Sequence, residues 1–265
     1  SVGLVGSEMC IRDRIRAVMI NYKLSFIESP SEIEINLNSS KSESNRLLII
    51  KSLSDNHIEL ENLSHANDTV LLKNLIRSNS QNIWDAEDAG TTMRFLTSFL
   101  AVTKQGVLLT GTERMKKRPI KILVDALNKI GAEISYTEKD GYPPIKINRK
   151  ISQIKESISI RGDISSQYIS SLLMIAPVLP NGLKIDVMPP FYSKPYVMMT
   201  LNLMKKFGIK YDLSEDSISI NNQEYKSGSY KVESDWSAAS YWYSFISINK
   251  KLKEIKLKGL REHSF

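Results

Sequence analysis

The sequence predicts an α/β fold built from repeated units. Apolar helical segments alternate with short β-branched runs, which is the pattern of helices and strands that pack on one core. Pro119 and Pro195 open two of the helices and lie 76 residues apart, while Gly90 and Ser165 open two others and lie 75 residues apart. Two kinds of helix that recur at nearly the same distance indicate an internal repeat of that size. A shorter relative of the unit is expected at roughly residues 40–85.

One kind of helix begins with small polar residues, which are the side chains that cap a first turn. Helices of this kind are predicted over the apolar stripes at residues 47–53, 93–102, 168–176 and 238–248. A second kind of helix follows a charged turn. Helices of this second kind are predicted at residues 70–76, 121–130 and 197–207. Gly131 and Gly208 close the last two of them, as expected of a glycine just past a helix end.

Short alternating or β-branched runs between the helices are the strand candidates. They lie at residues 32–37, 106–110, 133–136, 145–148, 157–160, 183–187, 210–213 and 217–220. Each unit is therefore expected to run strand, helix, strand, helix and then further strand. Three such units around a common core are the predicted architecture.

The composition bounds the class of protein. The chain has 265 residues, of which 42% are apolar and 25% charged, enough for a substantial core. No run approaches the roughly eighteen apolar residues that a membrane helix needs, so we expect no membrane association. The one cysteine, Cys10, excludes an internal disulfide framework and fits a reducing, cytoplasmic location. With three histidines besides, no metal-ligand cluster is predicted.

Two basic junctions between a turn and a helix carry the functional signal. The first spans residues 88–96 and contains Gly90 and Arg94, and the second spans residues 111–120 and contains Arg114. A helix start leaves backbone N–H groups free and carries partial positive charge. An arginine in or beside the same turn makes the place an anion site. Two such places predict a substrate that carries more than one phosphate or carboxylate.

Six segments, taken in order, resemble the family of 5-enolpyruvylshikimate-3-phosphate (EPSP) synthase, also called 3-phosphoshikimate 1-carboxyvinyltransferase. They are residues 40–46, 88–96, 109–131, 162–177, 193–208 and 235–243. The resemblance implies an enolpyruvyl transferase-like fold of two domains, each of three βαβαββ units. It divides the chain into a non-native or disordered leader (1–20), the first strands of an incomplete second domain (21–39), a complete three-unit substrate-binding domain (40–233) and the start of the rest of the incomplete domain (234–265). We therefore expect a chain that is truncated at its C-terminal end and lacks full activity.

The resemblance also implies a reaction and its partners. The 5-hydroxyl of shikimate 3-phosphate attacks C2 of phosphoenolpyruvate while the methylene is protonated, and the tetrahedral intermediate then loses phosphate. Neither a metal nor an organic cofactor is implied, because phosphoenolpyruvate supplies the activated group. The expected protein is a monomer that binds these two small molecules and neither nucleic acid nor membrane.

The matched motifs imply the site residues. Lys41 matches the family's active-site lysine, which lies between the two substrates and takes part in proton transfer. Besides Lys41, the residues matched to shikimate 3-phosphate are Ser42, Arg46, Ser165, Ser166, Gln167 and Ser193. Besides Lys41, those matched to phosphoenolpyruvate are Gly90, Arg114 and Gln167. Thr91, Arg94 and Tyr196 are expected to support the site. For Arg94, a purely structural ion pair is an equal alternative. We expect Lys116, Lys117 and Arg118 either to raise the local positive electrostatic potential or to form interdomain ion pairs.

Two other functions compete with this interpretation. The sister enzyme that transfers enolpyruvate to UDP-N-acetylglucosamine shares the fold but usually has a cysteine on a mobile loop, and no cysteine follows Cys10 here. A basic nucleic-acid-binding module would fit the net charge of +7. Such a module needs aromatic residues interleaved with basic ones on exposed strands, and the predicted strands lack that pattern.

Overall fold

The computed structural model describes residues 32–55, 57–78, 81–192, 194–249, 252–262 and 264. The helices in these ranges are α1 (Lys41–Leu53), α2 (Asn67–Arg77), α3 (Gly90–Thr103), α4 (Lys121–Lys129), α5 (Ser166–Ile175), α6 (Lys194–Lys206) and α7 (Trp236–Ile248). The strands are β1 (Glu32–Asn36), β2 (Ile58–Glu61), β3 (Ile83–Asp85), β4 (Val107–Thr110), β5 (Glu133–Tyr136), β6 (Ile145–Arg149), β7 (Ser157–Arg161), β8 (Leu183–Met188), β9 (Asp212–Leu213), β10 (Ser217–Ile220), β11 (Gly228–Lys231) and β12 (Glu254–Lys258).

Two units of the chain have the same topology. The first runs β3-α3-β4-α4-β5-β6 and the second runs β7-α5-β8-α6-β9-β10. Their sheets have the strand orders β3-β4-β6-β5 and β7-β8-β10-β9, which correspond strand for strand. In each sheet the first two strands are parallel and the remaining pairs are antiparallel. The α/β fold class with βαβαββ units is therefore confirmed.

The shorter unit predicted near residues 40–85 consists of α1, β2 and α2. Its single strand pairs in parallel with β11, which comes from the other end of the described chain. The remaining two strands, β1 and β12, form a parallel sheet of their own. The division into domains at residues 39/40 and 233/234 stays a prediction. The predicted leader, 1–20, and residues 21–31 lie outside the described residues.

The helices form an inner and an outer set. Within the inner set, α1 is buried from Glu43 to Ile50, α3 from Thr92 to Ala101 and α5 from Tyr168 to Ile175. These three helices contact one another. The outer helices α2, α4 and α6 are amphipathic and bury one face each. Because a surface helix needs one apolar stripe and a central helix is buried all round, the two kinds of helix in the sequence correspond to the two sets for six of the seven helices. The exception is α7, which begins with small polar residues like the inner helices but buries only Ala239.

All eight predicted strands occur, although the one predicted at residues 210–213 is reduced to β9. Four further strands, β2, β3, β11 and β12, were not predicted. They have only three to five residues each, so even the alternation of apolar and charged residues in Glu-Ile-Lys-Leu-Lys of β12 is too short to give a strong signal. Each of the four has one hydrogen-bonded neighbour, so each lies at the edge of its sheet.

Candidate functional site

A cavity of about 220 Å³ lies where the starts of the three inner helices meet. Its lining residues are Lys41, Ser42, Asn45, Arg46, Thr91, Ser165, Ser166, Gln167 and Tyr196. Eight of these nine are residues that the sequence analysis assigned to the site, and they come from all three units. Asn45 was not assigned. The predicted contact Ser193 lies outside the described residues.

Lys41 is the first residue of α1, and its Nζ lies 3.3 Å from Oδ2 of Asp68 at the start of α2. The lysine side chain is 45% exposed, so this ion pair is largely solvated. An exposed pair of this kind contributes only about 0–1 kcal/mol. A phosphate that enters the cavity can therefore compete with Asp68 for the ammonium group. Asp68 was not predicted to belong to the site.

Arg46 is buried and ties three helices together. Its Nε donates to Oγ1 of Thr200 at 2.7 Å, one terminal nitrogen donates to the Ser42 carbonyl at 2.9 Å, and the other donates to Oγ of Ser170 at 3.3 Å. The guanidinium also lies over the Phe95 ring, 5.5 Å from its centroid. Burial lowers the pKa of Arg46 to about 10, so the group stays charged at neutral pH. Most of its donors already have protein partners, and it can offer a ligand at most the remaining ones.

The start of α5 presents neutral donors to the same cavity. Ser165 is the N-cap, and its hydroxyl accepts a hydrogen bond from the Gln167 backbone N–H at 3.4 Å. The Gln167 side-chain amide donates to the Thr91 hydroxyl at 2.9 Å. That bond joins the starts of α3 and α5, so the supporting residue Thr91 directly contacts Gln167, which was matched to both substrates.

The start of α3 is surrounded by arginines. Its N-cap, Ala89, supplies no side-chain acceptor, so the first-turn N–H groups have no side-chain cap. Arg94 is buried, donates to the Gly90 carbonyl at 2.8 Å and lies over the Tyr168 ring, 5.5 Å from the centroid. Among the described residues no carboxylate lies within ion-pair distance of Arg94, so the structural ion pair considered for it is not formed. Burial, followed by the charges of Arg94 and Arg114, lowers the pKa of Arg118.

Asn45 is the lining residue that sequence reasoning missed. It is fully buried, and both polar atoms of its amide lack a hydrogen-bond partner among the described residues. An unpaired buried amide costs about 1–3 kcal/mol per group, so this residue type at this place needs a reason. Its position between Ser42 and Arg46 in one motif was the available signal, because residues one helical turn apart face the same side.

A larger cavity of about 480 Å³ shares Ser42 and Tyr196 with the site but differs in charge. Its other lining residues include Glu233, Asp235 and Glu262. Three carboxylates oppose the binding of a phosphate, whereas the smaller cavity is lined by Lys41 and Arg46. The smaller cavity is therefore the candidate site for an anionic ligand.

Within the described ranges, no group of three His, Cys, Asp or Glu side chains is placed to hold a metal ion. None of the helices in the described part of the chain combines the length and the apolar character that a membrane crossing requires.

The fold and the cavity define a class of α/β proteins in which repeated βαβαββ units bring the starts of the inner helices together around a candidate anion site. Residues 71–265 match the family model of EPSP synthase (3-phosphoshikimate 1-carboxyvinyltransferase). This chain belongs to the EPSP synthase family.

Similar proteins agree with that assignment. The 3-phosphoshikimate 1-carboxyvinyltransferase of Bacteroides fragilis (strain YCH46) is 46% identical over 243 residues, covering 90% of this chain and 58% of the relative. The enzyme of that name from Actinobacillus pleuropneumoniae serotype 3 is 37% identical, with coverages of 88% and 60%. EPSP synthase from Acinetobacter baumannii has the same fold, with a TM-score of 0.67 over 80% of this chain and 52% of that one, at 18% identity. The chain thus spans about three fifths of the length of these curated relatives.

Proposed function

We propose that this chain binds shikimate 3-phosphate and phosphoenolpyruvate, and that it belongs to a protein that transfers the enolpyruvyl group to the 5-hydroxyl of shikimate 3-phosphate with release of phosphate. The observation that carries the proposal is the meeting of the three inner helix starts. Lys41, Thr91 and Gln167 come from different units and line one cavity. A reaction between two anionic substrates requires such convergence, because both must be neutralised and held side by side.

The residues divide into two groups with different tasks. Ser165, Ser166 and Gln167 offer hydroxyl, amide and helix-start N–H donors, which suit the phosphate and ring oxygens of shikimate 3-phosphate. Gly90 is the first residue of α3, and Arg114 is near enough to Arg118 to act on its charge. Neither residue lines the cavity, but the cationic start of α3 beside it suits phosphoenolpyruvate. Lys41 lies at the edge of the cavity, where its ammonium can stabilise the charge on the departing phosphate and exchange a proton.

Cellular location, oligomeric state and cofactor use belong to the same proposal. We expect a cytoplasmic monomer with no requirement for a metal or an organic cofactor and no affinity for nucleic acid. The Bacteroides and Actinobacillus relatives carry the name of the shikimate enzyme, which favours it over the UDP-N-acetylglucosamine enzyme.

Calorimetric titration with shikimate 3-phosphate tests the binding role. The variant Ser166→Ala removes a cavity-lining hydroxyl that makes no hydrogen bond within the described structure, so its fold should be unchanged. We expect it to weaken shikimate 3-phosphate roughly tenfold, the value of one hydrogen bond to a charged group. The matched control Ser157→Ala lies on an exposed position of β7 and should bind normally.

Two results would contradict the proposal. One is a folded chain that shows no heat of binding with shikimate 3-phosphate. The other is salt-sensitive retention of RNA or DNA without any response to shikimate 3-phosphate, which would favour the nucleic-acid-binding function instead.

A further inference from the structure

The start of α1 has a capping box into which a distant segment of the chain is inserted. Residues 40–43 have the sequence Ser-x-x-Glu, in which the serine hydroxyl usually binds the glutamate N–H while the glutamate carboxylate binds the serine N–H. The first of these bonds is present, because the Glu43 N–H donates to the Ser40 hydroxyl at 3.3 Å. In place of the second, the Ser40 N–H donates to the Glu233 carbonyl at 2.8 Å, and the Glu233 N–H donates to Oε2 of Glu43 at 3.3 Å. The main chain of Glu233 therefore lies between the two halves of the box.

The other carboxylate oxygen of Glu43 is linked to an arginine. Glu43 is only 1% exposed, and its Oε1 accepts a hydrogen bond from the Tyr230 hydroxyl at 3.3 Å. The Tyr230 oxygen in turn accepts a hydrogen bond from a terminal nitrogen of Arg261 at 2.9 Å, and the guanidinium lies over the Tyr230 ring, 4.9 Å from its centroid. Arg261 follows β12, and its other terminal nitrogen donates to the Lys231 carbonyl. Hydrogen bonds thus connect a buried negative charge to a positive charge at an exposed position.

Burial opposes the charge that this arrangement needs. The pKa of Glu43 is raised, first by burial and also by the charge of Glu233, whereas the charge of Arg261 and the hydrogen bond from Tyr230 lower it. The charge of Glu43 also acts on Arg46, three residues along α1. Both the Glu233 N–H and the Tyr230 hydroxyl need an acceptor, and only an ionised carboxylate accepts through both oxygens. A charge that is disfavoured by burial and yet completes two hydrogen bonds needs a reason beyond stability.

The capping box encloses residues of the candidate site. Lys41 and Ser42 lie between Ser40 and Glu43 in the chain, and both line the cavity of about 220 Å³. Glu43 itself does not line that cavity, so it can act on a ligand there only through the first turn of α1. A looser attachment of this turn would change the positions of Lys41 and Ser42 together.

We propose that Glu43 is a positioning residue for shikimate 3-phosphate: its ionised carboxylate holds the main chain of Glu233 on the start of α1 and so fixes Lys41 and Ser42 in the cavity. Tyr230 and Arg261 assist by supplying a hydrogen bond and a compensating positive charge. This inference rests on the proposed function and extends it to three side chains that do not line the cavity.

Calorimetric titration of shikimate 3-phosphate into Glu43→Gln tests the positioning role. Glutamine keeps the size of the side chain but has one acceptor oxygen, so one of the two hydrogen bonds is lost. We expect the affinity to fall about fivefold, which corresponds to roughly one hydrogen bond. If the carboxylate acted only through its electric field, removing a negative charge near an anion site would strengthen binding. Tighter or unchanged binding would therefore overturn the inference.

The dependence on pH distinguishes positioning from a purely structural role. The ratio of the wild-type affinity to the Glu43→Gln affinity cancels the titration of the ligand itself. We expect this ratio to fall toward one as the pH is lowered through the pKa of Glu43, because a protonated carboxyl also loses one acceptor. In the Arg261→Met background the fall should begin at a higher pH, because the charge of Arg261 lowers the pKa of Glu43. A ratio that is independent of pH in both backgrounds would contradict the proposal.

The matched control is Glu61→Gln, the same substitution at an exposed position of β2 whose side chain makes no contact in the described structure. It should change the affinity for shikimate 3-phosphate by less than about twofold. Circular dichroism checks the folding of each variant. Arg261→Met alters an exposed residue, so it remains informative if Glu43→Gln does not fold.

Amide hydrogen exchange without ligand measures the attachment itself. The amides of Ser40 and Glu233 should exchange faster in Glu43→Gln than in the wild type, and equal protection would also overturn the inference. If the wild-type chain does not bind shikimate 3-phosphate while this protection depends on Glu43, the proposed function fails and the fixing of the α1 start by Glu43 stands. If the ligand binds the wild type and both variants equally, the proposed function stands and the positioning role fails.

Discussion

The starts of α3 and α5 occupy equivalent places in two units of the same topology, yet their chemistry is opposite. The start of α3 has no side-chain cap and is surrounded by guanidinium groups. The start of α5 is capped by Ser165 and offers hydroxyl and amide groups. At the position that Arg94 occupies in α3, the α5 helix has the neutral Ser170, 76 residues later. Repetition of the backbone therefore leaves the charge of each site free to differ.

The difference teaches how one repeated unit can serve two ligands. A helix start supplies the same N–H groups in each case, so binding of an anion needs no change of fold. Side chains in the first two turns then determine whether the site is strongly cationic or binds ligand oxygen atoms through neutral donors. The Thr91–Gln167 hydrogen bond places these two environments in contact. Substitutions that exchange features of the two starts test this division.

The largest effect is expected from Arg94→Ser, which gives α3 the residue type of α5. The change removes a buried guanidinium that donates to the Gly90 carbonyl and lies over the Tyr168 ring. We expect a loss of roughly 2–3 kcal/mol in the free energy of unfolding, measured in urea, together with weaker binding of phosphoenolpyruvate. Arg149→Ser, which removes an exposed arginine from the same unit, should leave stability nearly unchanged. Equal stabilities of the two variants would refute a structural role for Arg94.

A smaller effect is expected from Thr91→Val, which keeps the shape of the side chain and removes the acceptor of the Gln167 amide. The loss of one hydrogen bond should cost about 1 kcal/mol in the free energy of unfolding and leave Gln167 without its partner from the other unit. The affinities for shikimate 3-phosphate and phosphoenolpyruvate should both fall, because Gln167 is proposed to contact both substrates. Thr91→Ser retains the hydroxyl and should restore most of the binding. If Thr91→Ser and Thr91→Val behave alike, the hydrogen bond does not order the site.

The smallest effect is expected from Ser165→Ala, which makes the N-cap of α5 resemble Ala89 of α3. The capping bond is long, 3.4 Å, so we expect a loss of about 0.5–1 kcal/mol, at the lower end for such substitutions. Thermal unfolding measures it. A loss well above that range would show that Ser165 does more than cap the helix. The reciprocal change Ala89→Ser tests whether the start of α3 tolerates a cap without losing its affinity for phosphate.

Much of the fold could be predicted because its units repeat and their helices have distinct patterns. The two sets of helices differ in how many sides are apolar, which is visible in the sequence. Strands such as β2 and β11 escaped prediction because they are short and pair across a long stretch of chain, and no local pattern records such a partner. The convergence of Lys41, Thr91 and Gln167 required the tertiary arrangement, and only the resemblance suggested it.

The residues of the candidate site also differ in how clearly the sequence indicates them. Lys41, Ser42 and Gln167 belong to recognisable motifs at helix starts, so their type and position indicated a ligand. Asn45 was missed, and Arg118 was given only a general electrostatic effect, because the contacts of both depend on what surrounds them in the fold. The unpaired amide of Asn45 and the guanidinium above Gly90 result from the tertiary packing of the chain. Such facts have no signature in the spacing of residues along one chain.

The pairing of β2 with β11 has a consequence for how the protein is made. The two strands are far apart in the sequence. Next to their pairing, the Asn62 side chain donates to the Val232 carbonyl across a sequence separation of 170 residues. During synthesis at about 5–20 residues per second, the first unit therefore waits roughly ten seconds or more for its partner strand. Until then, the edge of β2 is open to other strands. The two complete units can form their sheets earlier, so of the three units the one that is translated before the other two is completed after them.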